Sequence, residues 1–269
     1  MARPRSGDYS DQGEARATRN LAARLNIRLD REARHSAEAN FVGIRSERVL
    51  FSRRTDSRTY LVHRNDFGIG SASGAFEGND KALYDRGRVI MKALGIPTSE
   101  RGQQTVIAER HQAAEVAGES GEIRMGEVER GGRFATIQRD IGGLQVWSSR
   151  FVLALAKDGQ IGFMELHWPE IPSPLLEEAR RLQHMVKRRW KPPSYRNGKV
   201  ESVEPGIIHS PALSFVMDIY PAIRVIYGST SKGRAGKKAA LYLDRHGKPV
   251  PIPRVGEMPY EERLERSRS

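Results

Sequence analysis

Two basic runs carry the densest potential for chemistry in this 269-residue chain: "KRRWK" at 187–191 and "SKGRAGKK" at 231–238. Phosphate groups are bound by Lys and Arg, and unpaired bases stack on aromatic faces. Lys187, Arg188, Arg189, Lys232, Arg234, Lys237 and Lys238 are therefore the candidates for an anion or nucleic-acid site, with Trp190 and Tyr195 beside the first run. The competing reading is structural. Cations are stabilised at a helix C-terminus by the backbone dipole alone, and Trp190 continues an apolar helical stripe.

Other reactive types are present without a catalytic pattern. The seven histidines, His35, His63, His111, His167, His184, His209 and His246, include no pair at i+2, i+3 or i+4, so no metal-ligand spacing is written locally. Glu165, Glu170, Asp140 and Asp158 flank one apolar hairpin and could do acid–base work only if the fold set two of them in different environments. Asp158 has a simpler use as a turn residue. No G-x-S-x-G elbow occurs. The glycine-rich "GIGSASG" at 68–74 lacks both G-x-G-x-x-G and G-K-[ST] and reads as a bulged turn. No catalytic residue, metal ligand or cofactor is assigned.

With no cysteine, disulfides, thiolate chemistry and Cys-ligated zinc are excluded. Lys and Arg total 45 against 33 Asp and Glu, a net charge of +12 whose field attracts nucleic acid, acidic protein faces or anionic headgroups. Hydrophobic residues make up 38%, enough with 26 glycines for a buried core over part of the chain. The N-terminus has no apolar run for a signal peptide, and no stretch of about 18 apolar residues predicts a membrane span. The expectation is a soluble protein; the compartment is not written in the sequence.

The elements that must hold these residues follow from periodicity. Residues 1–39 read as a basic arm and a helix from Glu14 to about Leu29, which is either a free amphipathic helix or one docked on the body. Residues 40–98 read as a first sheet-plus-helix unit. Its strands are 41–44, 49–51, 60–62 and 67–69. Its helix is capped by Asn79 or Asp80, striped by Leu83, Gly87, Ile90, Met91 and Leu94, and stopped by Gly95, Ile96 and Pro97. Residues 99–193 read as a hairpin-plus-helix unit. Within it, 106–116 fits a strand or a short helix, and the segment after it, 117–132, reads as a polar loop region, either bare or built around a short strand. The hairpin has Trp147, Phe151, Leu153 and Leu155 on one face of its first strand. Its second strand sets Met164, Leu166 and Trp168 on one side and Ile161, Phe163, Glu165 and His167 on the other. The helix that follows takes Ser173 as N-cap, Pro174 at its first position, and Leu175, Ala179, Leu182, Val186 and Trp190 as its stripe, and it is expected to lie on the hairpin. Residues 194–255 read as strands and 256–269 as a charged tail. The fold class is α+β, antiparallel sheets packed on helices, arranged as tandem units.

The hairpin "GGLQVWSSRFVLALAKDGQIGFME" resembles the FTP motif of thermolysin-type propeptides at Gly143, Val146, Asp158 and Gly159. The later "IRVIY…KKAALYLDRHGKPV" is similar to the related PepSY pattern at Asp244, Gly247 and Lys248. The resemblance implies cystatin-like modules, which in propeptides inhibit and chaperone a peptidase. The chain departs from the family by carrying no peptidase: residues 111–115, "HQAAE", are not H-E-x-x-H. The reading that follows is a non-enzymatic module recognising a protein or peptide at an exposed sheet face or edge. Trp147, Trp168 and Trp190 are its candidate anchors. A nucleic-acid binder using the basic runs is the alternative, and an unrecognised enzyme the second alternative.

Overall fold

The first helix, α1 (Asp11–Arg24), is ended by Asn26, whose φ of 59° puts it in the left-handed region. The N–H of Ile27 then returns to Ala22 O at 2.9 Å and that of Asn26 to Ala23 O at 3.0 Å, so the helix stops well short of Leu29. Leu21, Ala22 and Leu25 are buried in the core, so α1 docks on the body. The second helix, α2 (Asp80–Ala93), is capped by Asn79, whose side chain accepts from Ala82 N. Gly95 at φ 72° closes its end, with Ile96 N–H on Met91 O at 2.9 Å. Both caps and the buried stripe of Leu83, Gly87, Ile90 and Met91 follow the sequence expectation.

In the computed structural model, residues 11–30, 32–38, 41–54, 56–67, 76–117, 122–188, 190–195, 198–211, 218–229 and 238–251 are described. The chain is α+β and divides into two compact units, Met1–Arg139 with Arg150–Pro169, and Asp140–Ser149 with Glu170–Ser269. The division cuts through the segment expected as one hairpin-plus-helix unit at 99–193.

In the first unit, β1 (Arg34–Glu38), β2 (Phe41–Arg45), β3 (Val49–Arg54) and β4 (Thr59–Arg64) form an antiparallel meander. Strand β1 was not expected, because "RHSAE" has little strand propensity; pairing with β2 forms it. Phe67 is buried but lies in no strand, and Ile69 falls outside the described residues. A single 3-10 turn, Thr98–Glu100, leads into two long strands, β5 (Arg101–Ala117) and β6 (Glu122–Asp140). These occupy the segment read as strand-or-helix and polar loop. Next come β7 (Gln145–Leu155) and β8 (Ile161–His167), the expected hairpin. It turns at Lys157-Asp158-Gly159, with Gly159 at φ 74°. Strand β8 pairs antiparallel with β4, while β6 pairs with both β5 and β7.

The hairpin's apolar face meets α2 and α1, not the helix that follows it. Phe151, Leu153, Leu155, Met164, Leu166 and Trp168 share one core with Leu83, Ile90, Met91, Leu21 and Leu25. Gly87 makes the approach possible, since a Cβ there would stand 3.0 Å from the Phe151 ring. Each large side chain so buried stabilises the unit by about 1.5–3 kcal/mol. Ile161 joins this face against expectation. A register shift after Ala154 pairs Leu155 with Ile161, leaving Gly162 as the extra residue under the Phe67 ring.

The second unit is built on α3 (Ser173–Arg188), β9 (Gly198–His209), β10 (Ile219–Ser229) and β11 (Lys238–Leu243). Pro172 O accepts from Leu176 N at 3.1 Å, so Ser173 takes the first helical position rather than the cap. Strands β9, β10 and β11 are antiparallel neighbours, and Gln145 and Val146 of β7 run parallel to β9. Helix α3 packs on β9 and β10, through Leu182, Met185 and Val186 against Ile223, Val225 and Tyr227. Ala179 and Leu176 meet Leu144, Val146 and Ile207. The His246-Gly247 turn is formed as expected: Asp244 Oδ1 accepts from the His246 and Lys248 amides, and Gly247 has φ 77°. Among the described residues no helix is long and apolar enough to cross a membrane.

Candidate functional site

Strand β5 pairs with β6 alone, so the other side of a 17-residue strand has no strand partner among the described residues. Its register with β6 is continuous from Gln104↔Ile137 to Ala108↔Arg133, then shifts at Ala108/Arg110 and Gln112/Ala114 before closing at Ala117↔Glu122. The ribbon is anchored at its root. Val106, Ala135 and Ile137 enter the first unit's core, and Phe134 meets Phe163 edge-on at 6.3 Å between centroids. Arg133 donates to Gly78 O at 2.5 Å and pairs with Asp80. Outward of that root, Gln103, Thr105 and Ile107 are exposed on β5, Ile107 by 53%, as is Met125 on β6 by 57%. An open strand of this length presents a row of backbone donors and acceptors to any extended chain. Its bulges limit how far a straight partner can follow.

A buried ionic cluster fixes where the ribbon starts. Arg139 donates to Glu100 through Nε at 2.9 Å and Nη2 at 2.8 Å, and to Pro169 O at 2.5 Å. Its guanidinium lies 5.3 Å from the Trp168 ring, whose Nε1–H donates to the same Glu100 oxygen at 2.9 Å. Burial pulls the Arg139 pKa below the ordinary arginine value, and Glu100 opposes that pull. Trp168 is 0% exposed, so it is core and anchors no partner. Trp147 is half-buried against Tyr242 at 5.2 Å, with the Arg224 guanidinium 5.1 Å from its ring. Trp190, by contrast, lines a groove in the second unit. Its Nε1–H donates to Arg245 O at 3.1 Å.

That groove, of about 530 Å³, is lined by Arg181, His184, Met185, Arg188 and Trp190. Lys187 and Arg188 stand exposed in the last turn of α3. Arg189, Lys232, Arg234 and Lys237 lie outside the described residues, while Lys238 begins β11. The structure therefore brings Arg188 and Trp190 of the first basic run together, and adds Arg181, which the sequence reading did not name, and His184, which it named only among the histidines. Their helical spacing of i, i+3 and i+7 was the available signal.

Two histidines sit in hydrogen-bonded pairs deep in the fold. In the second unit, His209 Nδ1 lies 2.8 Å from the Ser210 carbonyl and Nε2 lies 2.7 Å from Ser149 Oγ. The carbonyl requires a proton on Nδ1, so Nε2 accepts from the serine. This is the connectivity of a nucleophile and its base, but Ser149 and His209 are each only 1% exposed. In the first unit, His167 Nδ1 meets Thr59 Oγ1 at 2.6 Å, with both residues buried. Among the described residues no group of His, Asp and Glu could hold a metal ion.

The flanking carboxylates have separate tasks. Glu165 pairs with Arg150, Asp140 accepts from Gly143 N at 2.6 Å, and Glu170 is exposed. Asp158 does meet a second carboxylate, Asp66, across a shared Arg64 in a groove of about 550 Å³. The Arg64 hydrogen bond holds the Asp66 carboxyl below the ordinary carboxylate range. Burial works to raise Asp158, but the bonds from Arg64 and from the Gln160 amide outweigh it and leave its pKa lowered too. Arg64 itself is raised, chiefly by its bond to Asp66. Two ionised carboxylates locked on one guanidinium brace the β4 and hairpin turns and leave neither free as an acid or base.

No protein-family model matches the chain, and no curated protein matches it. A solved structure of an uncharacterized protein from Eubacterium rectale ATCC 33656 is similar to it at 14% identity and a TM-score of 0.46, covering 91% of this chain and 83% of that one.

Proposed function

We propose that the protein is a non-enzymatic binding module that captures an extended segment of a protein partner by strand addition along β5. The observation that carries this reading is the side of β5 that has no strand partner among the described residues, on a strand anchored at its root by the Arg139 cluster. The partner segment is basic. The sequence from 109 to 130 contains six acidic residues against three arginines, in a chain whose net charge is +12. A non-enzymatic role is supported by the burial of the Ser149–His209 and Thr59–His167 pairs, which no substrate reaches.

We read each unit as cystatin-like, and the FTP and PepSY resemblance as kinship of the two turns. Support comes from the Asp158-Gly159 and Asp244–Lys248 turn geometry and from a helix on an antiparallel sheet in each unit. Packing of the hairpin on the preceding helix α2 weighs against kinship of the whole segment with its following helix.

The test is affinity purification of the protein, its Ile107→Pro and Ile107→Asp variants, and an Arg181→Ala/Arg188→Ala variant from one host extract. The partner is expected to be lost with both Ile107 variants, whose circular dichroism stays that of the wild type, and kept with the arginine variant. Retention through both Ile107 changes overturns the reading.

A further inference from the structure

We infer that the groove beside Trp190 is a binding site for single-stranded nucleic acid, distinct from the β5 edge and resting on none of its residues. Arg181, His184 and Arg188 follow one another at helical spacing along α3, and each lines the groove that Trp190 closes. Arg181 and Arg188 are seven residues apart, ~10.5 Å along the helix axis, the length of about three stacked nucleotides at ~3.4 Å each. An indole in the same groove supplies the flat face on which one base stacks, and Met185 the apolar floor beside it.

The charges are uncommitted. Carboxylates on α3 stop at Glu178, in its first half, and the last turn carries Lys187 and Arg188. Among the described residues Arg180, Arg181, Lys187 and Arg188 have no ion-pair or hydrogen-bond partner, whereas Arg53, Arg64, Arg133, Arg139 and Arg224 are each paired with a carboxylate. The helix dipole explains cations in the last turn but not Arg181 two turns earlier, nor a ring in the groove. A lipid surface would be met by a protruding apolar edge. Here the apolar side chains Met185 and Trp190 are half-buried and the cations stand out beyond them, which suits a strand whose phosphates lie outside its rings.

The test is fluorescence anisotropy of the full chain with labelled dT20 and rU20, with a heparin fragment and phosphatidylserine vesicles as competitors. With Arg181, Lys187 and Arg188 on phosphates, the slope of log affinity against log salt is expected to be about −2, roughly a twentyfold loss from 50 to 200 mM. Arg181→Ala/Arg188→Ala, both exposed and so harmless to the fold, is expected to weaken binding at least tenfold. Oligonucleotide is expected to quench tryptophan emission in the wild type, and Trp190→Phe to abolish the quench. Unchanged affinity in the double variant, absence of a Trp190-dependent quench, or binding of heparin or vesicles as tight as that of the oligonucleotides overturns the proposal. Separate arms with dT20 and rU20 show which sugar the site prefers.

Discussion

Replacing Glu100 with alanine exposes how much the buried cluster at the ribbon root contributes. The change removes the acceptor of three hydrogen bonds, two from Arg139 at 2.9 and 2.8 Å and one from Trp168 Nε1 at 2.9 Å. The Arg139 side chain is 4% exposed and cannot take up water in exchange, though it keeps Pro169 O and the Trp168 face. Breaking a buried ion pair from one side costs about 3–5 kcal/mol. The Glu100 side chain is 22% exposed, which admits some water to the vacated place and sets the expectation at the lower end, ~3 kcal/mol. That is a loss of roughly 150-fold in the folding equilibrium constant. The assay is urea unfolding followed by Trp168 emission, in a background carrying Trp147→Phe and Trp190→Phe. With a slope of about 2 kcal/mol per molar urea, the midpoint falls by ~1.5 M. Adding Arg139→Met to Glu100→Ala removes the stranded charge and is expected to restore most of the loss. A Glu100→Ala cost below about 1 kcal/mol, or a double variant no better than the single, refutes the reasoning.

Gly87→Val forces a branched side chain against the Phe151 ring and is expected to cost ~2 kcal/mol, seen by calorimetry as a drop of roughly 4–8 °C in Tm; an unchanged Tm means α2 does not approach β7 so closely. Asn26 tolerates its left-handed conformation, so Asn26→Gly is expected to be neutral or slightly stabilising and Asn26→Val to lose about 1–2 kcal/mol in the same experiment, and equal effects contradict the cap. Asp66 and Asp158 have lowered pKa values in the folded state. Their contribution is therefore fully present above the unfolded carboxylate value of about 3.9 and is lost as pH falls through their lower folded values. Carboxyl NMR titration should place both midpoints below that value, and Arg64→Gln should raise both and flatten the acid limb of the stability curve. Midpoints that do not move with Arg64 contradict the shared guanidinium.

What could be read from the residues was local. Helix α2 is specified end to end by Asn79, its stripe and Gly95-Ile96-Pro97, because caps and periodicity act within a few residues. The Asp158-Gly159 and His246-Gly247 turns are local in the same sense. Which apolar stripe the hairpin meets is not local. Helices α2 and α3 both offer one, and only tertiary packing decides that Phe151 and Leu153 meet Leu83 and Ile90. Strand β5 was legible only as one of two readings, for a related reason: its glutamines, alanines and glutamates favour helix as readily as strand, and the root that holds it, Arg101 opposite Arg139, joins residues far apart in the chain. At the candidate sites the basic run 187–191 was visible, but the groove formed by Arg181, His184, Arg188 and Trp190 needed the helix to be built first. The Arg64 fork joins two turns, 65–66 and 157–159, that the sequence gives no reason to connect.

The pairing of β4 with β8 has a consequence for synthesis. Tyr60, Leu61 and Val62 stand opposite Leu166, Glu165 and Met164, about a hundred residues further on. At a translation rate of ~5–20 residues per second, a ribosome leaves the β4 edge without its neighbour for roughly 5–20 s. The residues made in that interval include β5 and β6, whose own hairpin can close early, and Gln145–Ser149, which end up in the other unit. The nascent chain must therefore carry an adhesive, half-finished sheet until residue 167 clears the exit tunnel, and that interval is when a chaperone bound to the emerging chain has most to protect.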